Sequence, residues 1–213
     1  MTARTYAVII PIFLLTVLVV FRMLSSRHHT LDTYPAGVIV HEAPEQLPVQ
    51  SVQTWARNGY DIIPLASFSI RAKILGIQYY RTGREAGLSP VDFALGWGRM
   101  SDEKILRHFS ITQKDRWSYW RADSIPLSNR EILVQSANTH LIPATPEVAR
   151  TLGTAALHDI ITLKGYLVQA QGGDGWTWTS SLSRTDTGAA ACEVIWVNSA
   201  FVEKHPAPKL SDE

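Results

Sequence analysis

Phe68-Ser69-Ile70-Arg71-Ala72-Lys73-Ile74 decides the fold class. Phe68, Ile70, Ala72 and Ile74 fall on one side of an extended chain, and Ser69, Arg71 and Lys73 on the other. Successive side chains of a strand point to opposite faces, so a strict period of two marks a strand with one face in a core. Further along, 160–170 reads as a second strand, Gly172-Gly173-Asp174-Gly175 as a turn, and 176–182 as its hairpin partner. Residues 191–197 return as another strand, and Trp117-Ser-Tyr-Trp-Arg121 as one more. Helix signals are short. Ser89-Pro90 opens a turn or short helix through Leu95, and Ser101 caps a helix over 102–109 with Asp102 and Glu103 at its positive dipole end. Thr145 as cap, Pro146 at the first position and Glu147 in the first turn predict a helix running to about residue 157. The fold class expected is therefore mainly β with a few short helices, α+β in the broad sense. Its architecture is either a small antiparallel barrel of the oligonucleotide/oligosaccharide-binding type or a sandwich. Gly165, inside a strand, marks the strong bending that a small barrel needs.

At the N-terminus, Tyr6 to Phe21 is sixteen residues without a charge. With Thr5 and the stretch to Leu24, Arg22 reaching the headgroups, the run attains the roughly 20 residues that cross a ~30 Å hydrocarbon layer. Phe21-Arg22-Met23-Leu24 offers no small-residue cleavage site, which favours an uncleaved anchor over a signal peptide. The expected organisation is an anchor over 1–24, a proline-bearing tether over 25–59, a β-rich domain over 60–197 and a flexible tail over 198–213. Arg4 on one side and Arg22 and Arg27 on the other leave the positive-inside count nearly tied. A short N-terminal tail before a large C-terminal domain points to a single-pass protein of a bacterial inner membrane with its domain in the periplasm. The bilayer, through residues 5–24, is thus one expected partner.

Composition narrows the rest. Apolar residues make 46% and charged residues 18% of the 213, a globular balance. Net charge is +1, but residues 1–30 hold three arginines and no acid, leaving 17 basic and 19 acidic residues beyond them. That balance lacks the basic stripe that releases phosphate counterions, so nucleic acid is not an expected partner, although 71–130 carries 11 basic against 6 acidic residues. Cys192 is the single cysteine, which excludes an intrachain disulfide and a cysteine-based zinc cluster. The seven histidines are dispersed without metal-ligand spacing, so neither metal nor cofactor is expected.

Three phrases carry a resemblance: Leu95-Gly-Trp-Gly-Arg-Met-Ser-Asp102, Ser136-Ala-Asn-Thr-His-Leu-Ile-Pro-Ala144, and Ser180-Ser-Leu-Ser-Arg-Thr-Asp-Thr-Gly188 followed by Ala191-Cys-Glu193. Together they resemble an uncharacterised group of bacterial proteins over roughly residues 60–197. The resemblance implies a bacterial source and one domain, and brings no activity.

Two polar stretches interrupt the apolar, tryptophan-rich pattern. The run from Ser180 to Gly188 suits a donor-rich loop in which Arg184 reads an anion and Asp186 orients it. Asn138 and His140 are placed in a second loop, contributing directional hydrogen bonds. These four form the candidate binding site, with no residue assigned as catalytic. Asp186-Thr-Gly188 matches the aspartic-protease tripeptide, but the polar flank Ser183-Arg184-Thr185 and the 25 residues after Gly188 do not suit such a lobe. The functional expectation is a membrane-anchored, non-enzymatic envelope module binding a protein, peptide or glycan. The alternative is a tethered hydrolase using His140 with Ser181 or Cys192.

Overall fold

Residues 68–74 lie in the middle of one long strand that organises everything else. The structure is a computed structural model that describes residues 37–50, 53–124, 126–186 and 191–205. The expected anchor over 1–24 lies outside them, and among the described residues no helix is long and apolar enough to cross a membrane. The strands are β1 (Glu45–Pro48), β2 (Trp55–Arg57), β3 (Tyr60–Tyr79), β4 (Val91–Gly96), β5 (Phe109–Lys114), β6 (Trp117–Ala122), β7 (Ser136–Pro143), β8 (Ile160–Gly172), β9 (Thr177–Thr179) and β10 (Glu193–Glu203). Short helices are α1 (Glu103–Leu106), α2 (Asn129–Gln135) and α3 (Pro146–Gly153). The protein is mainly β, as its alternation demands.

Five strands pair in an unbroken cycle: β3 with β4, β4 with β7, β7 with β10, β10 with β8, and β8 back to β3. All pairs are antiparallel except β7 with β10. One strand can close the ring because β3 is twenty residues long and changes partners along its length. Its 60–73 stretch pairs with β8 and its 73–79 stretch with β4. The β3–β8 register breaks between Pro64 and Ala66, where proline has no N–H for the ladder. On β8, Gly165 sits opposite both Phe68 and Val197, and a Cβ there would come within 1.9 Å of the Trp196 carbonyl oxygen. Only glycine lets the strands approach this closely.

Inside the ring, Phe68, Ile70, Ala72 and Ile74 meet Phe93, Leu95, Leu141, Leu163, Leu167, Ile195 and Val197 in one core. Helix α3 adds Val148 and Leu152 to that core, its start fixed by the Thr145 hydroxyl accepting from the Val148 amide. The outer face of β3 is not uniformly wet. Lys73 is fully buried beneath α1, where its ammonium meets Glu103.

Several expectations are corrected. The described residues of the tether over 25–59 are packed chain: Val38 and Val40 are buried, Val40 N donates to the Ser101 hydroxyl at 3.0 Å, and β1 and β2 pair with β3. The Asn58-Gly59 turn, with φ of 52° and 82°, joins β2 to β3 as a type I′ hairpin. The tail over 198–213 begins too early, since β10 continues to Glu203 against β8, and Lys204 reaches Asp159 at 2.8 Å. Residues 91–96 form a wholly buried strand rather than a helix, because both faces are covered. The helix over 102–109 is one turn, capped by Asp102 accepting from Lys104 N. Ser101 instead ties down residues 39–40. Asn138-Thr139-His140 is not a loop but the middle of β7.

Candidate functional site

Alternation along β4 and β7 turns Asp92 and Ala94, and Asn138, His140 and Ile142, away from the ring interior. In a two-layer fold that face would meet water. Here the chain between β4 and β7 folds back across it as the β5–β6 hairpin, whose two-residue turn Asp115-Arg116 has φ of 52° and 68°. The turn delivers Arg116 to the strand face. Its Nη1 lies 2.7 Å from Asp92 Oδ1, and its guanidinium stands 3.7 Å above the Tyr80 ring, whose hydroxyl accepts from Arg116 N at 3.0 Å. Asn138 fastens the hairpin from below: Nδ2 donates to the Arg116 carbonyl at 2.9 Å and Oδ1 accepts from Gln113 at 2.8 Å.

Asp92 is 0% exposed and His140 2%. His140 Nδ1 stands 2.9 Å from Asp92 Oδ2, but the approach is poorly directed, and neither atom has a well-formed hydrogen bond among the described residues. The imidazole packs against Trp178 of β9, ring centres 4.8 Å apart. Ser89 supplies a second, longer contact to Asp92 Oδ1 at 3.3 Å. The carboxylate is therefore held chiefly by Arg116, a buried ion pair that must be kept whole to be tolerated.

Beside this cluster opens a recess of 390 Å³. One wall is the hairpin, through Trp117, Ser118 and Trp120. A second is α2, through Asn129, Ile132 and Leu133. The floor is the start of β7 and the far wall the polar loop leading into β10, with Arg184, Asp186, Cys192 and Glu193. The loop is stitched to the strand that follows: Val194 N donates to the Ser180 hydroxyl at 3.0 Å and Ser181 N to the Cys192 carbonyl at 3.0 Å. Ser181 Oγ also meets Asp186 Oδ2 at 2.5 Å.

Electrostatics in the recess are those of a half-compensated pair. Glu193 is 4% exposed, and its parity places it with Ile195 and Val197 toward the ring interior. Its Oε1 takes Arg184 Nη1 at 3.0 Å, while Oε2 has no hydrogen-bond partner among the described residues. Burial pushes the Glu193 carboxyl up to about 7, opposed by the Arg184 charge. Arg184 is itself lowered by burial, its guanidinium lying over Phe68 at 5.2 Å and Trp97 at 5.9 Å. Burial likewise pushes the Cys192 thiol up to about 11, against a weak contact from Asn138 Nδ2 at 3.8 Å.

On the opposite flank Arg84, from the β3–β4 connection, clamps the β8–β9 turn. Nη1 and Nη2 both lie 2.7 Å from Asp174, and the guanidinium covers Trp176 at 4.5 Å and Tyr60 at 5.3 Å. The arginine draws the Asp174 carboxyl down to about 2.

Of the four residues singled out in the sequence, Asn138, Arg184 and Asp186 line the recess and His140 does not. Arg184 is engaged by Glu193 and Asp186 by Ser181, so the two do not act as one anion-reading fork. Among the described residues His140 makes no hydrogen bond to Ser181 or Cys192; Ser181 Oγ turns to Ser183 and Asp186 and the thiol to Asn138 and Arg116. Groups of three or more metal-ligating side chains are absent among the described residues. Asp92, Arg116 and Glu193 escaped the sequence reading. The two acids did carry a signal, each being a lone charge in an apolar run, whereas Arg116 carried none. No family model, curated protein or solved structure matches this chain.

Proposed function

We propose that this chain is a non-enzymatic envelope module, held in a bacterial inner membrane by residues 5–24, that grips a protein, peptide or glycan partner in the recess beside Arg184 and Glu193. We infer further that the five-strand cycle is a small barrel of the oligonucleotide/oligosaccharide-binding type. Numbered around the ring in chain order, its strands are β3, β4, β7, β8 and β10. Barrels of that type bind ligands on the face of their second and third strands and in the loops joining first to second and fourth to fifth. Here those places hold Asp92 and Asn138 on the strand face, Arg84 in the first loop, and Arg184 and Asp186 in the last. The reading rests on one observation: a 390 Å³ recess lined by Trp117, Trp120, Ile132 and Leu133 together with Asn138, Arg184, Asp186 and Glu193. Binding sites are concave and largely apolar, with a few convergent polar groups.

The test fills the recess. Asn129, exposed at the first position of α2, is replaced by tryptophan in the full-length protein in detergent micelles. Capture of a defined envelope component by the unmodified chain, lost in Asn129→Trp at unchanged melting temperature, supports the reading. Equal capture by both proteins moves the site elsewhere.

A further inference from the structure

Away from the recess beside Arg184, the β2–β3 hairpin carries a cation without an acid partner among the described residues. Trp55 and Arg57 of β2 pair with Ile62 and Tyr60, so these side chains share the face that packs on Tyr166 and Trp196. Trp55 stacks on Trp196 with ring centres 5.3 Å apart and planes 6° from parallel, and the Arg57 guanidinium lies over Trp196 at 5.9 Å. Asp61, the hairpin's one acid, pairs with Ala56 and so leaves by the other face. Arg57 Nε is shielded without a partner. Nη1 and Nη2 likewise have no hydrogen bond among the described residues, but they keep contact with solvent. Burial alone acts on the Arg57 charge, lowering its pKa with no acid to oppose the shift. The nearest undescribed residues along the chain, Ser51 and Val52, carry no charge.

This end of the hairpin opens onto a second recess, of 710 Å³, lined by the 54–58 stretch with Ala144 and Trp196. Two tryptophans and two alanines supply four of those seven residues, yet the wall is mainly polar, and Arg57 is its one charged side chain. We propose that this recess binds the phosphate monoester of a small polyol, free or as a lipid headgroup, with Arg57 as its anchor. Phosphate suits these donors better than carboxylate does. The guanidinium edge bridges two oxygens, and stacking on Trp196 fixes that fork before a ligand arrives. The Thr54 hydroxyl has no hydrogen bond among the described residues, and Asn58 Nδ2 gives one N–H to the Gly87 carbonyl at 2.6 Å and keeps the other. Those donors suit a third oxygen, which a monoester has and a carboxylate lacks. The monoester also brings nearly two negative charges at pH 7, against one.

The experiment uses full-length protein in non-ionic detergent micelles and phosphate-free buffer. Four probes are titrated by calorimetry: glycerol 3-phosphate, glycerate, glycerol and dihexanoyl phosphatidate. Glycerol 3-phosphate is expected to bind at least tenfold more tightly than glycerate, and glycerol not measurably. Between pH 5 and pH 7.5 the phosphate affinity rises severalfold as the second proton leaves near 6, while glycerate, ionised throughout, shows no such rise. Arg57→Gln weakens phosphate binding at least tenfold at unchanged melting temperature, since Arg57 makes no hydrogen bond or ion pair to lose. Arg57→Lys, which keeps the charge without the fork, falls between the two. Lys114→Gln removes a charge from the exposed turn of the β5–β6 hairpin and leaves binding intact. Tighter binding of phosphatidate assigns the phosphate to a lipid headgroup; tighter binding of glycerol 3-phosphate assigns it to a soluble ester. Glycerate binding as tight as glycerol 3-phosphate overturns the phosphate. Equal phosphate binding by Arg57→Gln, or none by the unmodified protein, overturns the site, and neither result touches the recess beside Arg184.

Discussion

Replacing Glu193 by glutamine should change stability by an amount that depends on pH, turning in the variant's favour as pH rises. In the folded protein the carboxyl is pushed from its ordinary value of 4.5 up to about 7, first by burial and despite the Arg184 charge. A folded value above the unfolded one means that the native state binds the proton more tightly. Its contribution is therefore complete below pH 4.5 and is lost as pH rises through 7. At about 1.36 kcal/mol for each pH unit, the interval amounts to about 3 kcal/mol. Glutamine keeps the shape and an acceptor for Arg184 Nη1 but has nothing to ionise. Urea unfolding of the full-length protein and of Glu193→Gln, followed by tryptophan fluorescence between pH 4.5 and 8, measures the difference. Groups such as Asp159 and Asp174 titrate in both proteins and cancel. The protein should lose about 3 kcal/mol relative to the variant across that range, with most of the change between pH 5 and 7. Parallel profiles would refute the reasoning. So would a protein that gains on the variant as pH rises, since pairing with Arg184 would then outweigh desolvation.

Other perturbations address the neighbouring groups. Arg116→Met strands Asp92 at 0% exposure and should cost about 3–5 kcal/mol at pH 7, read from the same urea unfolding. Asn138→Ala removes the partners of Gln113 and of the Arg116 carbonyl, for a loss of about 1–3 kcal/mol and faster amide exchange in the β5–β6 hairpin. Gly165→Ala forces apart strands that meet 1.9 Å from the added carbon and should lower stability by about 3 kcal/mol or more, read from the urea midpoint. A thiol reagent should modify Cys192 slowly at pH 7 and at least tenfold faster in urea, because burial suppresses the thiolate.

What could be read from the chain was local. The alternation at 68–74 gives the right inner face, and Thr145-Pro146-Glu147 gives the right helix start. Gly165 marks the bend where strands cross. Residues 91–96 defeat periodicity because every one is buried, so alternation of burial, which is what a strand pattern reports, is absent. The tether over 25–59 overlooks Asn58-Gly59, one of the strongest short hairpin signals a sequence can hold, and reads Val38–Val40 as a short strand, where the structure has both valines buried outside any strand. Prolines 44 and 48 do not argue against strand there, since β1 pairs with β3 as a short flanking strand.

The site was harder because its geometry is set by chain that is distant in sequence. Parity alone puts Asp92, Asn138 and His140 on the outer face of β4 and β7, but it cannot say whether that face is wet. The 97–135 insertion decides that for Asp92 and Asn138 by returning across the same two strands, while Trp178 of β9 packs against His140 and turns it from a surface donor into a buried residue. Parity carries further for Glu193. Counted back from Val197 and Ile195, it must point inward, and an inward acid with no basic residue at matching parity nearby requires a partner from elsewhere. Among the described residues Arg184 is that partner, for one oxygen only. A lone charge on the inward parity of an apolar strand is thus a better pointer to this recess than the density of polar residues in the loop beside it. Most of those hydroxyls are spent on holding the loop itself.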